Sequence, residues 1–202
     1  MINRLNLSNR QDSILPNPQK TKEKAFNLNS KPSESRQIAF CSNNLISENP
    51  SENLIITSGT AINGDVTSEK NIQLRVNSMI AGNVKTNGFL KLSPGAKILG
   101  DVQAEKFAVL LPGTKIKGEL KFSKDCQKVD INGEDVNFVW VGSHCKIDKI
   151  VFEDGKGIVV KGLGASVGEI VNGSETEVDS QKEQDILKYL RDSKKQVGEL
   201  YF

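Results

Sequence analysis

Ile62-Asn63-Gly64-Asp65-Val66 returns as Ile80-Ala81-Gly82-Asn83-Val84, as Ile98-Leu99-Gly100-Asp101-Val102 and as Ile116-Lys117-Gly118-Glu119-Leu120, each time eighteen positions further on. Two more columns keep the interval: Leu54, Ile72, Leu90 and Ala108, and Ile56, Leu74, Leu92 and Leu110. Inside each repeat a shorter step is visible, because every sixth residue from Ile56 to Phe122 is apolar or small. A six-residue step with an inward residue suits a short strand and a corner, and three such steps close one coil. The pattern therefore predicts an all-β chain, a single-stranded β-helix of about six to seven coils in which like residues stack.

The bore of such a solenoid is narrow, and Trp or Tyr inside it would overpack. Aromatic residues make up only 5% of the 202-residue chain and the broad hydrophobic fraction is 37%, which fits a thin aliphatic core better than a thick globular one. Gly64, Gly82, Gly100 and Gly118 are expected at the corners, supplying positive φ. Asn63-Gly64, Asn87-Gly88, Asn132-Gly133 and Asn172-Gly173 are turn-forming pairs.

After Phe122 the interval changes. Phe138-Val139-Trp140-Val141-Gly142 matches Ile158-Val159-Val160-Lys161-Gly162 twenty positions on, and Ile147 and Ile150 match Val167 and Ile170. Residues 125–135 fall between the two registers and read as a longer loop. The β-helix is thus expected over 53–173. Residues 174–202 read as a polar linker and a helix, opened by a capping box at Ser180-Gln181-Lys182-Glu183 and running to about Lys195, with Ile186, Leu187 and Leu190 as its apolar stripe. Residues 1–52 hold four of the six prolines and none of the 17 glycines, and their isolated apolar residues follow no period. They read as a disordered polar tail.

The recurring I-x-G-[DNE]-[VL] units between residues 54 and 122, preceded by a polar tail, resemble the bactofilins, polymer-forming cytoskeletal proteins of bacteria. The close resemblance covers about a third of the chain, and more with the looser coils. It implies a right-handed β-helix that assembles end to end into nucleotide-free filaments, at the inner membrane in many cases, as a scaffold for cell-envelope or cell-organising proteins. A helix after Ser180 and coils with the longer interval depart from that pattern.

Assembly also has a physical motive, since a solenoid ends in unpaired strands over an apolar core, and such edges are either capped or paired. Leu54, Ile55 and Ile56 in the first coil have no cap in sequence and form the expected contact. Ile186, Leu187 and Leu190 are the matching candidates at the other end, as a cap or a second contact. The expected partner is the protein itself.

Other function classes are weaker. Charge is +2, from 7 Lys+Arg against 5 Asp+Glu through Glu52 and 20 against 20 after it, so the body is neutral and a nucleic-acid interface is not expected. Arg4, Arg10, Lys20, Lys22, Lys24, Lys31 and Arg36 suit an anionic membrane surface, with Met1, Ile2, Leu5 and Leu7 as shallow anchors, or a solvated spacer. The chain has no apolar run of about 18 residues. Its first residues are too polar for a secretory signal, so a cytoplasmic address is the expectation, with inner-membrane association from the resemblance.

His144 and Cys145, as strand neighbours, should face opposite ways, which is poor geometry for a catalytic pair. One histidine does not make a three-histidine zinc site. Gly162-Leu163-Gly164-Ala165-Ser166-Val167-Gly168 has turn rather than dinucleotide spacing. Cys41, Cys126 and Cys145 lack CxxC spacing and read as reduced thiols. No catalytic residue, cofactor or metal is expected. The enzymatic rival is a hexapeptide-repeat acyltransferase, which shares the six-residue step but generally needs a histidine base.

Overall fold

In the computed structural model the described residues are 36–38, 44–47, 52–123, 129–131, 134–155 and 157–192. Short β-branched and aliphatic triplets separated by Asn, Gly and Ser turns form strands too brief to stand alone. The first are β1 (Arg36–Ile38) and β2 (Leu45–Ser47). Three turns of the chain then repeat one plan, a triplet, a pair and a triplet. They are β3 (Leu54–Ile56), β4 (Ala61–Ile62) and β5 (Val66–Ser68); β6 (Ile72–Leu74), β7 (Met79–Ile80) and β8 (Val84–Thr86); and β9 (Leu90–Leu92), β10 (Lys97–Ile98) and β11 (Val102–Ala104). Longer strands follow: β12 (Ala108–Leu110), β13 (Lys115–Phe122), β14 (Val129–Ile131), β15 (Glu134–Val141), β16 (Lys146–Phe152), β17 (Gly157–Lys161), β18 (Ser166–Val171) and β19 (Gly173–Glu177), then helix α1 (Ser180–Asp192).

Strands stack in parallel into three walls. The first runs β1-β3-β6-β9-β12-β15-β17-β19. The second runs β4-β7-β10 and the third β2-β5-β8-β11, and both meet β13, whose two halves continue them into β16 and β18. The described residues thus hold six complete turns of a β-solenoid, preceded by β1 and β2 and followed by β19. The repeat columns are the stacking partners: Leu54, Ile72, Leu90 and Ala108 pair in sequence, as do Ile62, Ile80, Ile98 and Ile116.

Those columns fill the bore. Leu54, Ile56, Ile62, Ile72, Leu74, Ile80, Leu90, Leu92 and Ile98 are fully buried, each contributing roughly 1.5–3 kcal/mol relative to exposure. Thr60, Ser78, Ala96, Thr114 and Cys145 form an inward column of small residues at one corner, all buried. Phe122 and Phe152 stack at 5.3 Å at the end of the third wall, where the chain turns toward the first. A Cβ at Gly157 or Gly173 would strike the Phe152 ring, so both glycines make room for it.

The I-x-G-[DN] corner has a specific cause. The Asp65 N–H donates to Asn44 Oδ1 at 2.9 Å, the Asn83 N–H to Asp65 Oδ1 at 2.7 Å, the Asp101 N–H to Asn83 Oδ1 at 2.9 Å and the Glu119 N–H to Asp101 Oδ1 at 2.8 Å. Each Asp or Asn thereby satisfies a donor one coil on, where strand pairing lapses. The neighbouring glycines are needed for a different reason than positive φ: none of Gly64, Gly82, Gly100 and Gly118 lies in the left-handed region. A Cβ on Gly100 would sit 2.5 Å from the Gly82 carbonyl oxygen, so the column is glycine because adjacent coils touch there. Positive φ belongs to another column, Gly59, Asn77, Gly95, Gly113, His144 and Gly164.

Three boundaries differ from the sequence expectation. The solenoid starts before residue 53, since Arg36, Gln37 and Ile38 pair with Leu54, Ile55 and Ile56, at the same interval as the coils that follow. Part of 125–135 is a hairpin rather than a loop, with Val129 and Ile131 antiparallel to Val136 and Glu134. Residues 173–177 are a final strand rather than a linker, pairing with Gly157–Lys161 at a shorter interval than any coil before it. Beyond it α1 begins at the expected Ser180 but is capped by Asp179, whose Oδ1 accepts the Lys182 N–H at 2.8 Å.

Candidate assembly surfaces

At the amino-terminal end, Leu54 and Ile56 are fully buried in the bore and Ile55 is half-buried, all three beneath β1. β1 therefore lies between them and that end of the stack. The signal for their cover was present in sequence, because Ile38 stands one register before Ile56, but a lone triplet between prolines shows no period. Outermost on the second wall is β4, while Ile46 on β2 is 47% exposed.

At the carboxyl-terminal end the described residues leave a strand edge exposed. Along β18, Val167 and Ile170 are only half-buried against the core, and every residue of β19 is exposed. Both strands present one unpaired edge among the described residues. Beside them, Leu163 at the Gly162-Leu163-Gly164 turn is 53% exposed. Axial ion pairs Lys149–Glu169 at 3.2 Å and Lys161–Glu175 at 2.8 Å tie these last coils to those before them.

α1 is tied by one residue to the coil before the last. Glu183, buried, accepts a bond from the Ser143 N–H at 2.9 Å and one from the Ser143 hydroxyl, so the expected capping-box glutamate is a docking residue. A Cβ on Gly162 would lie 2.7 Å from Glu183 Oε1, so glycine there leaves space for the carboxylate. Of the apolar stripe, the backbone of Ile186, Leu187 and Leu190 lies in α1; their side chains fall outside the described residues.

A second apolar cluster lies outside the bore, on the outer face of the first wall. Phe89, Phe107, Val109 and Trp140 form it, with Leu111, Phe138, Val160 and Val178 packed against them. Phe89 and Phe107 stack at 5.3 Å, and Trp140 and Val109 are fully buried. Exclusion of Trp from the bore therefore holds, but sequence reasoning did not find the outer cluster, because strand periodicity reports inward residues and treats outward ones as solvated. Lys91, in the same outward column, is 3% exposed. Burial, reinforced by Arg75, lowers its pKa to about 8. The folded protein therefore holds fewer protons at Lys91 than the unfolded chain between about pH 8 and the usual 10.5, and stability gains with pH across that window. Thermal melts of Lys91→Met are expected to lack that gain between pH 7.5 and 10.

His144 is exposed in a turn while Cys145 is buried with its Sγ 3.1 Å from Thr114 Oγ1. Burial raises the Cys145 pKa, opposite to what a nucleophile needs. The Ala165 N–H donates to the Gly162 carbonyl, as a turn does. Cys41, Cys126 and the Asn132-Gly133 pair lie outside the described residues. Among the described residues no group of His, Cys, Asp and Glu is arranged to hold a metal ion, and no helix is long and apolar enough to cross a membrane.

Residues 54–134 match the family model for bactofilin, described as polymer-forming cytoskeletal. No curated protein and no solved structure matches the chain.

Proposed function

We propose that this chain, whose residues 54–134 match the polymer-forming bactofilin family model, is a non-enzymatic scaffold that assembles end to end into nucleotide-independent filaments. The observation that carries this reading is the open carboxyl-terminal edge, where β18 and β19 end a stack of parallel strands over a half-covered core. A second subunit placed there would continue the sheets, pair the strand edge and bury Val167 and Ile170. Nothing in that step consumes a nucleotide, since apolar burial and strand pairing supply the free energy.

The same reading places the protein in the cytoplasm, with its basic amino-terminal residues toward an anionic membrane and cell-envelope proteins as partners of the scaffold. Negative-stain electron microscopy of the full chain without added nucleotide tests it. Filaments are the expected result. A compact trimer that binds an acyl donor would replace the scaffold with the acyltransferase.

A further inference from the structure

We propose that α1 is a lateral strap, lying along the outer face of the first wall of its own subunit and covering the Trp140 cluster, rather than a cap on the coil end. The path of the chain gives the direction. The Val178 N–H pairs with the Lys161 carbonyl on the last coil, yet Glu183, little more than one helical turn further on, bonds to Ser143, one coil back. The helix therefore heads toward the amino-terminal end, away from the exposed edge of β18 and β19.

Its length and face fit the cluster. From Glu183 to Asp192 the helix advances about 14 Å at about 1.5 Å per residue. Three coil steps along the wall, from Gly142 through Leu111 and Ser93 to Arg75, span about 14 Å at the usual strand spacing. One helical turn thus meets about one coil. Positions 186, 187 and 190 follow Glu183 at the third, fourth and seventh places, so the helical period puts the four positions on one face of α1. In the proposed position the helix backbone passes, in order, the levels of Trp140, of Val109 with Phe107, and of Lys91 with Phe89. The helix would end beside Lys91 and Arg75, and cations there favour the partial negative charge of a helix carboxyl terminus.

A strap in this position screens an aromatic face on the side of the solenoid while leaving both ends free. Trp140 is the only tryptophan in the chain, which makes its emission a direct reporter. In the full chain, below concentrations at which it assembles, Leu190→Asp is expected to shift Trp140 emission to the red and raise acrylamide quenching several-fold. Lys188→Asp, at an exposed position of the same helix, is expected to leave both unchanged. Neither substitution touches the bore, so β-rich circular dichroism is retained in each. Leu190→Asp spectra identical to wild type overturn the strap, as does the same red shift in Lys188→Asp. The readout needs no filament, so its failure is separate from failure of the assembly reading.

Discussion

Ile170→Lys is expected to yield a folded, β-rich protein that no longer forms the proposed filaments. Ile170 stands on the last strand shared by the second and third walls, half-buried against the core and with no described strand on its outer side. In the proposed filament the next subunit would cover that side. Replacing it with lysine removes roughly 1.5–3 kcal/mol of apolar burial at the contact. It also asks an ammonium group to leave water, at a cost of several kcal/mol. Subunit affinity falls tenfold for every ~1.4 kcal/mol, so the loss is at least about a hundredfold. In the free subunit the lysine reaches solvent, and the fold stands. Sedimentation and electron microscopy report the polymer while circular dichroism reports the fold, and filaments at the wild-type concentration would show that this edge is not the contact. Ile56→Arg is the wrong variant for this purpose, because Ile56 is fully buried beneath β1 and an arginine there attacks the bore itself.

That contrast marks the reach of sequence reasoning here. Stacking columns were legible because each coil repeats the last: Ile62, Ile80, Ile98 and Ile116 are partners in the structure as they are in the repeat register. The exposed end was not legible. Which coil is last depends on strands with no internal repeat, and β1 and β19 are one instance at each end. Arg36–Ile38 carries a single apolar residue beside polar ones, and Gly173–Glu177 has no apolar side chain at all. Both pair because a neighbouring strand offers an edge, a tertiary cause that leaves no composition signal. The same limit applies to Glu183. Its position fits a capping box, and only the nearness of Ser143 and the missing side chain of Gly162 direct it elsewhere.

Glycine in the repeat motif is the sharper case, since two physical reasons for a corner glycine predict opposite orders of damage. If positive φ were the requirement, Gly59→Ala would be the harmful change and Gly100→Ala a mild one. Gly59 has φ of 71° with nothing within 4 Å of an added Cβ, so alanine there meets only the left-handed backbone penalty, about 1–2 kcal/mol. Gly100 avoids that region, but its Cβ would lie 2.5 Å from the Gly82 carbonyl oxygen and 2.6 Å from Asn83 Oδ1. Neither atom yields freely. The carbonyl belongs to the adjacent coil, and Asn83 Oδ1 accepts the Asp101 N–H at 2.9 Å. Separating the coils relieves the clash only by breaking that bond, at about 1 kcal/mol, on top of about 3 kcal/mol of overpacking. Gly100→Ala is therefore expected to lower the thermal midpoint by about 10 °C, and Gly59→Ala by only a few degrees. Melts followed by circular dichroism decide between the two causes. The reverse order would return the repeat glycines to a conformational role and remove close coil contact as the reason for the motif.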